Sequence, residues 1–194
     1  SDSMTPLARE QQHAQNERDG KLRFVEVRND SRPESLVSLT HLKNIFAKQL
    51  PKMPREYIVR LVFDRYHEAL TCEYEGEIVG GIAYRVHPEQ SFSEIAFCAV
   101  AATHQVQGYG TRLMNQLKEK AKRDKIQCLL TYADNHAIGY FRKQGFHKQV
   151  TMKRARWLGY IKDYDGGTLM ECVHPPPIFP SLTPLPYFDI VTTL

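Results

Sequence analysis

Long apolar runs are missing from this sequence. Nowhere in its 194 residues does a hydrophobic stretch approach the roughly 20 residues needed to cross a bilayer, which excludes a helical membrane span within them. Residues 1–20 are polar throughout and lack the apolar core of a secretory leader. Cysteine is scarce. Cys72, Cys98, Cys128 and Cys172 are scattered, with no CxxC pair to suggest a metal or redox centre. Each lies in an apolar stretch, so buried reduced thiols are expected, and a reducing, intracellular compartment follows. No charge sign is in large excess, the net being +4. Lys118, Lys120, Lys122, Arg123 and Lys125 do cluster, either as a solvated helix face or as a patch for a polyanion. No aromatics interleave with them, which speaks against a nucleic-acid platform.

What is present describes a soluble globular chain, with 42% apolar and 25% charged residues. Its length suits one domain with a real core. Residues 21–27 alternate as a strand. Leu36, Leu39, Leu42, Ile45, Phe46 and Leu50 recur at helical spacing behind Pro33, and Pro51 ends that helix. Pro54 opens a second, short helix bearing Tyr57, Ile58 and Leu61. Strands at 69–74 and 78–86 flank Glu75-Gly76-Glu77, and Phe92–Val100 makes a third, so an antiparallel meander is expected. Val106, Leu113, Met114, Leu117 and Ala121 mark a helix from about Gly108. Residues 126–132 form a continuous apolar strand suited to burial on both faces. Residues 136–144 form a helix capped by Asp134 or Asn135 and stopped by Gly145. A strand or loop follows at 146–152, and Thr168–Val173 is the last strand. The whole is a mixed α/β fold. Residues 1–20 form a flexible N-terminal segment, 21–173 one domain, and 174–194 a tail. The tail holds six of the chain's eleven prolines, which bar a regular helix or a central strand; it is expected as an extended linker or surface strap.

Two local features carry chemistry. Gln105-Val106-Gln107-Gly108-Tyr109-Gly110-Thr111 lies between a strand and an amphipathic helix. Its glycines let backbone N–H groups approach a ligand, and the helix start adds unpaired donors and the positive dipole end. That combination suits a pyrophosphate. Thr111-Arg112 follows Gly110 where a Walker loop needs Lys-Ser/Thr, and Leu113 stands where a dinucleotide fingerprint needs a third small residue. The turn could also be a tight helix entry with no ligand. The second feature is Glu94, flanked by apolar residues in Phe92–Val100. Simple alternation puts it on the face of Phe92, Ala96 and Cys98. Desolvation there raises a carboxyl pKa, which suits a general base; a salt-bridged strand glutamate is the other reading.

Longer motifs join these two. Gln49-Leu50-Pro51-Lys52-Met53-Pro54, Arg60-Leu61-Val62-Phe63-Asp64, the 105–111 turn, Leu130-Thr131-Tyr132-Ala133-Asp134-Asn135, Gly139-Tyr140-Phe141, Lys143-Gln144-Gly145-Phe146 and Gly159-Tyr160-Ile161-Lys162-Asp163-Tyr164-Asp165-Gly166 together resemble the GNAT acetyltransferase superfamily. Within it they are most similar to the nuclear histone acetyltransferases of SAGA-type coactivator complexes. The resemblance runs from about Lys21 to Cys172. It implies a mostly antiparallel central sheet with flanking helices and a βαβ core that binds acetyl-CoA, with no metal.

It further implies Glu94 as general base for direct attack by a lysine amine. It gives Cys98, Ala99 and Val100 to the pantetheine and acetyl group. Gln105, Val106, Gln107, Gly108, Tyr109, Gly110 and Thr111 would hold the pyrophosphate, and Ala133, His136, Ala137, Gly139, Tyr140 and Phe141 would wall the CoA arm. A peptide groove is implied at Phe46, Phe92, Leu130, Tyr160, Ile161, Asp163 and Tyr164. The implied partners are histone tails, H3 first, and adaptor subunits of a coactivator complex, in the nucleus, with no membrane and no sequence-specific nucleic acid. The same chemistry on non-histone lysines or small amines, or an acetyl-CoA-binding module without turnover, are the alternatives. Two residues depart from the family pattern: His136 replaces a usual aromatic, and so does His87 near the base. Cys98 raises a covalent acetyl-cysteine route, but its local sequence offers no histidine partner.

Overall fold

The computed structural model describes residues 4–173; the proline-rich segment 174–194 lies outside them. Six strands form one sheet in chain order: β1 (Leu22–Arg28), β2 (His67–Tyr74), β3 (Glu77–His87), β4 (Phe92–Val100), β5 (Cys128–Ala133) and β6 (Thr168–Val173). Every neighbouring pair is antiparallel except β4–β5. The meander expected from the short links is present. The parallel step needs a crossover, supplied by α4 (Tyr109–Arg123).

Helices cover both faces. α2 (Pro33–Gln49) and α3 (Arg55–Val62) bury Leu39, Leu42, Phe46, Ile58 and Val62 against Ala69, Ala83, Phe97 and Ala99. Where β3 passes beneath α2 it carries Gly81. A Cβ there would stand 2.5 Å from Leu42 Cδ1 and 2.9 Å from the Leu70 carbonyl, so only glycine allows this approach. On the other face α4 and α5 (Ile138–Lys143) bury Leu113, Met114, Leu117 and Phe141 against Leu70, Ile82, Tyr84, Ile95 and Leu129. A third cluster of Phe92, Cys128 and Leu130 sits under Val150, Met152, Trp157 and Ile161, a strip that includes the short α6 (Arg154–Trp157).

The structure departs from the sequence pattern at two places. Residues 6–18, expected as part of a flexible segment, form the helix α1 (Pro6–Arg18). Its buried residues are His13 and Asn16 rather than an apolar stripe, so periodicity gives no signal. Arg112 of α4 instead anchors it through ion pairs to Glu10 (2.8 Å) and Glu17. Val106 is not a core position of α4: it is 91% exposed and adopts positive φ (+61°). Residues 146–152, open between strand and loop by sequence, are a loop that meets β6 through the His147–Glu171 bridge.

Candidate active site

The parallel pair creates the site. β4 and β5 stay in register only from Phe92–Cys128 to Ile95–Thr131. Beyond that point Ala96 is an extra residue in β4, because Ile95 pairs with Tyr84 while Phe97 pairs with Ala83. Such a bulge bends and twists a strand, and here β4 leaves β5. A cleft of about 1090 Å³ opens in the gap, walled by 95–98 of β4, 131–137 at and beyond the end of β5, the α2–α3 link with the start of α3, and Lys162 and 164–167. Ligands of open α/β sheets settle at such strand ends.

The bulge also fixes which groups face the gap. The Ala101 N–H donates to the Val79 carbonyl. Antiparallel alternation then turns Ala99 and Phe97 toward β3 and leaves the main-chain groups of Cys98 and Val100 on the open edge. The Gln105 amide occupies the Val100 carbonyl at 2.9 Å. Glu94 is displaced from its expected neighbours. Ile95 and Cys98 join the α4-side core while Phe97 and Ala99 join the α2-side core, so Glu94 shares its face with Phe97 and Ala99 and not with Cys98.

Burial pushes the Glu94 carboxyl up to about 7, against the downward pull of the Lys162 backbone N–H and the Arg85 guanidinium. Arg85 lies directly opposite in the ladder. Glu94 stands behind the cleft wall rather than in it: Lys162, whose N–H it accepts, lines the cleft together with Tyr57 and Tyr164. Those two tyrosines hydrogen-bond through their hydroxyls, and their rings meet edge-on at 6.0 Å. The Lys162 ammonium lies 4.4 Å from the Tyr57 ring centroid, a cation–π distance. Burial raises both phenols, and the Glu94 charge adds to this.

At the other end, Gly108 precedes α4 at φ +87° and has no side chain to cap it, leaving the N–H groups of Tyr109, Gly110 and Thr111 without intrahelical partners. The loop stands apart from the cleft walls, and Tyr140 links the two. Its hydroxyl donates to the Gly110 carbonyl (2.9 Å) and lies 3.7 Å from Cys98 Sγ. Burial raises the Tyr140 phenol well above its ordinary range and pushes the Cys98 thiol up to about 11. Cys98 is therefore a protonated thiol at neutral pH, which counts against it as a nucleophile.

Other expected residues divide between wall and core. Ala133, His136, Ala137 and Phe141 line the cleft, and His136 is exposed. Asp134 Oδ1 accepts the His136 and Ala137 N–H groups at 2.8 and 2.9 Å, and so caps this turn. Gly139 is exposed on α5. Phe46, Phe92 and Leu130 are fully buried in the core and present nothing to a ligand. Tyr160 packs edge-on against His87 and Phe92 (5.3 and 6.3 Å), and Ile161 joins the third cluster. Asp163 is exposed and lies outside the cleft lining. His87 stacks on Phe92 at 4.8 Å, and burial lowers its pKa, so it packs as a neutral ring. Tyr57 also lines the cleft; its helical spacing marks it only as an inward-facing position and carries no sign of a site.

A mostly antiparallel sheet splayed at one parallel pair, with an anion loop at the crossover helix and a desolvated carboxylate beside the gap, defines the GNAT fold class. Residues 34–146 match the acetyltransferase (GNAT) family, and the chain belongs to that family. It is 54% identical to the solved structure of Tetrahymena GCN5, covering 79% of this chain and 98% of that one with a TM-score of 0.76. A second structure is the catalytic domain of Tetrahymena GCN5 histone acetyltransferase in complex with coenzyme A (55% identity, 79% and 94% coverage, TM-score 0.66). The histone acetyltransferase GCN5 of Oryza sativa subsp. japonica is 52% identical over 96% of this chain. That of Debaryomyces hansenii is 52% identical over 91%. The chain spans only 35% and 39% of the length of these two relatives.

Replacing Gly108 with alanine tests the anion loop. Positive φ costs a side-chain-bearing residue about 1–2 kcal/mol, and the new Cβ would meet His13 Nε2 at 3.4 Å. The loop is expected to shift and CoA affinity to fall roughly ten-fold, as read by calorimetry; unchanged affinity would remove the loop from the cofactor site.

Proposed function

We propose that this chain transfers acetyl from acetyl-CoA to the ε-amine of lysines in histone tails, H3 first, as the catalytic part of a nuclear coactivator assembly. The observation that carries it is the Glu94 carboxyl, pushed up to about 7 beside a cleft that Tyr140 links to an anion loop. The similarity to histone acetyltransferases GCN5, one of them solved with coenzyme A, supplies the substrate class.

The residues fit the cofactor. The first-turn N–H groups of α4 and the 105–111 turn would hold a pyrophosphate. On the open edge, the Cys98 carbonyl and the Val100 N–H would pair with the pantetheine amides. Acetyl-CoA supplies an acyl thioester, which an unprotonated amine attacks and from which CoA leaves as a thiol. A lysine ammonium, with an ordinary pKa of about 10.4, must first lose a proton, and Glu94, directly or through one water, accepts it. The Cys98 N–H on the open edge offers a donor to the developing oxyanion. The departing sulfur takes the second proton that the nitrogen sheds as the amide forms, directly or through water; the Tyr140 hydroxyl, which donates to the Gly110 carbonyl and is kept protonated by burial, positions the wall beside Cys98.

A panel of H3-tail peptide, H4-tail peptide and a polyamine, with acetylated positions mapped by mass spectrometry, tests the substrate class. Acetyl is expected on lysine side chains of the histone peptides, H3 fastest. Faster transfer to the polyamine would place this chain among small-amine acetyltransferases instead.

A further inference from the structure

The helix α1 covers the back of the anion loop. His13 is 4% exposed, its ring lies 4.8 Å from the Tyr109 ring, and its Nε2 is hydrogen-bonded to the Gln107 carbonyl at 2.5 Å. A carbonyl only accepts, so Nε2 carries the proton; Nδ1 is buried without a hydrogen-bond partner among the described residues. We propose that His13 is a positioning residue of the cofactor site, holding the Gln107 carbonyl so that the Gly108 N–H is presented to the pyrophosphate of acetyl-CoA. This rests on the acetyl-CoA reading above.

The geometry follows from the peptide unit. In a planar trans peptide the C=O and the following N–H point in opposite directions. The Gln107 carbonyl is drawn back onto α1, so the Gly108 N–H points away from α1, out of the loop's free side. That side is open to a ligand while the other is filled, since a Cβ on Gly108 would meet His13 Nε2 at 3.4 Å and Arg9 Cδ at 3.5 Å. Without the His13 bond, this glycine-flanked peptide could rotate and withdraw its donor, because glycine tolerates both signs of φ. His13 is itself held from outside the loop. Arg112, one turn into α4, ties α1 down through Glu10 and Glu17, so the helix bearing His13 and the helix whose N-terminus faces the anion move as one body. The Gln107 side chain, bonded to the Thr103 carbonyl at 3.0 Å, fixes the same residue from the opposite direction.

The experiment compares the wild-type chain with His13→Phe, which keeps an aromatic ring against Tyr109 but has no donor, and His13→Gln, which restores an N–H. CoA affinity is measured by calorimetry, acetylation by steady-state kinetics, and folding by thermal melting. Losing one hydrogen bond at the loop predicts a roughly ten-fold weaker Kd for CoA in His13→Phe. KM for acetyl-CoA should rise to match, with kcat at saturation unchanged and His13→Gln near the wild type. Unchanged CoA affinity in His13→Phe overturns the inference. So does a joint loss of melting temperature and affinity that His13→Gln fails to reverse, because His13 would then be only a packing residue. Failure of the wild-type chain to bind CoA would be a different result, striking the functional reading itself.

Discussion

Glu94→Gln is expected to slow lysine acetylation roughly 10²–10⁴-fold near neutral pH, the range for loss of a general base, while CoA affinity stays as it was. Glutamine keeps the shape and can still accept the Lys162 N–H, so the wall that this contact holds should survive. The pH profile carries the sharper signature. Burial raises the Glu94 carboxyl from 4.5 to about 7, so kcat/KM should climb about ten-fold per unit below that value and level off above it. If no base acted, the rate would instead keep rising toward the lysine's own pKa of about 10.4. A plateau that persists in Glu94→Gln would sink the assignment. Stability carries the opposite sign. A carboxyl whose pKa is raised on folding favours the folded state while protonated, and this contribution is lost as pH rises from 4.5 through about 7. The glutamine variant should lack that loss, and melting curves at pH 5 and pH 8 would show it.

Glu171→Leu is expected to destabilise the fold by about 2–5 kcal/mol, because a buried carboxylate's partners are left unsatisfied. Glu171 is 3% exposed in β6. One of its oxygens accepts the Thr151 N–H at 2.6 Å and the Thr151 hydroxyl at 2.9 Å. The other accepts the Met152 N–H at 3.0 Å and the Cys128 thiol at 3.5 Å. Among the described residues no strand pairs with residues 151 and 152, so this one side chain does for their main chain what a sheet neighbour would do. They lead into the 153–167 stretch that brings Lys162 and Tyr164 to the cleft. The melting temperature should therefore drop by about 5–15 °C, and KM for peptide should rise more than KM for acetyl-CoA. An unaltered melting temperature would mean that water replaces the carboxylate at no cost.

Much of this was legible in the residues. The stripe from Leu36 to Leu50 gave α2, and the apolar run at Phe92–Val100 gave β4 with Glu94 in it. Gly108 marked the entry to α4. Each is a local property: helical or strand spacing repeats within one element, and a positive-φ turn needs only the right residue. The motifs of the 105–111 and 130–146 stretches carried the family as well.

Local patterns could not say what each buried residue packs against. Phe46, Phe92 and Leu130 are apolar wherever they sit, and only the assembled sheet shows them to be core rather than groove. Alternation put Cys98 on the face of Glu94, but the extra residue at Ala96 turned the strand over, because one inserted residue reverses every side chain beyond it. Helix α1 had no apolar stripe to reveal it; Arg112, far along the chain, holds it. The sequence by itself determined the main strands and the helices with an apolar stripe, the anion turn and the presence of a carboxylate in an apolar strand. Tertiary structure decided that β4 and β5 part, which way Glu94 faces, and that α1 backs the loop. Those depend on contacts between distant segments, and no local spacing encodes them.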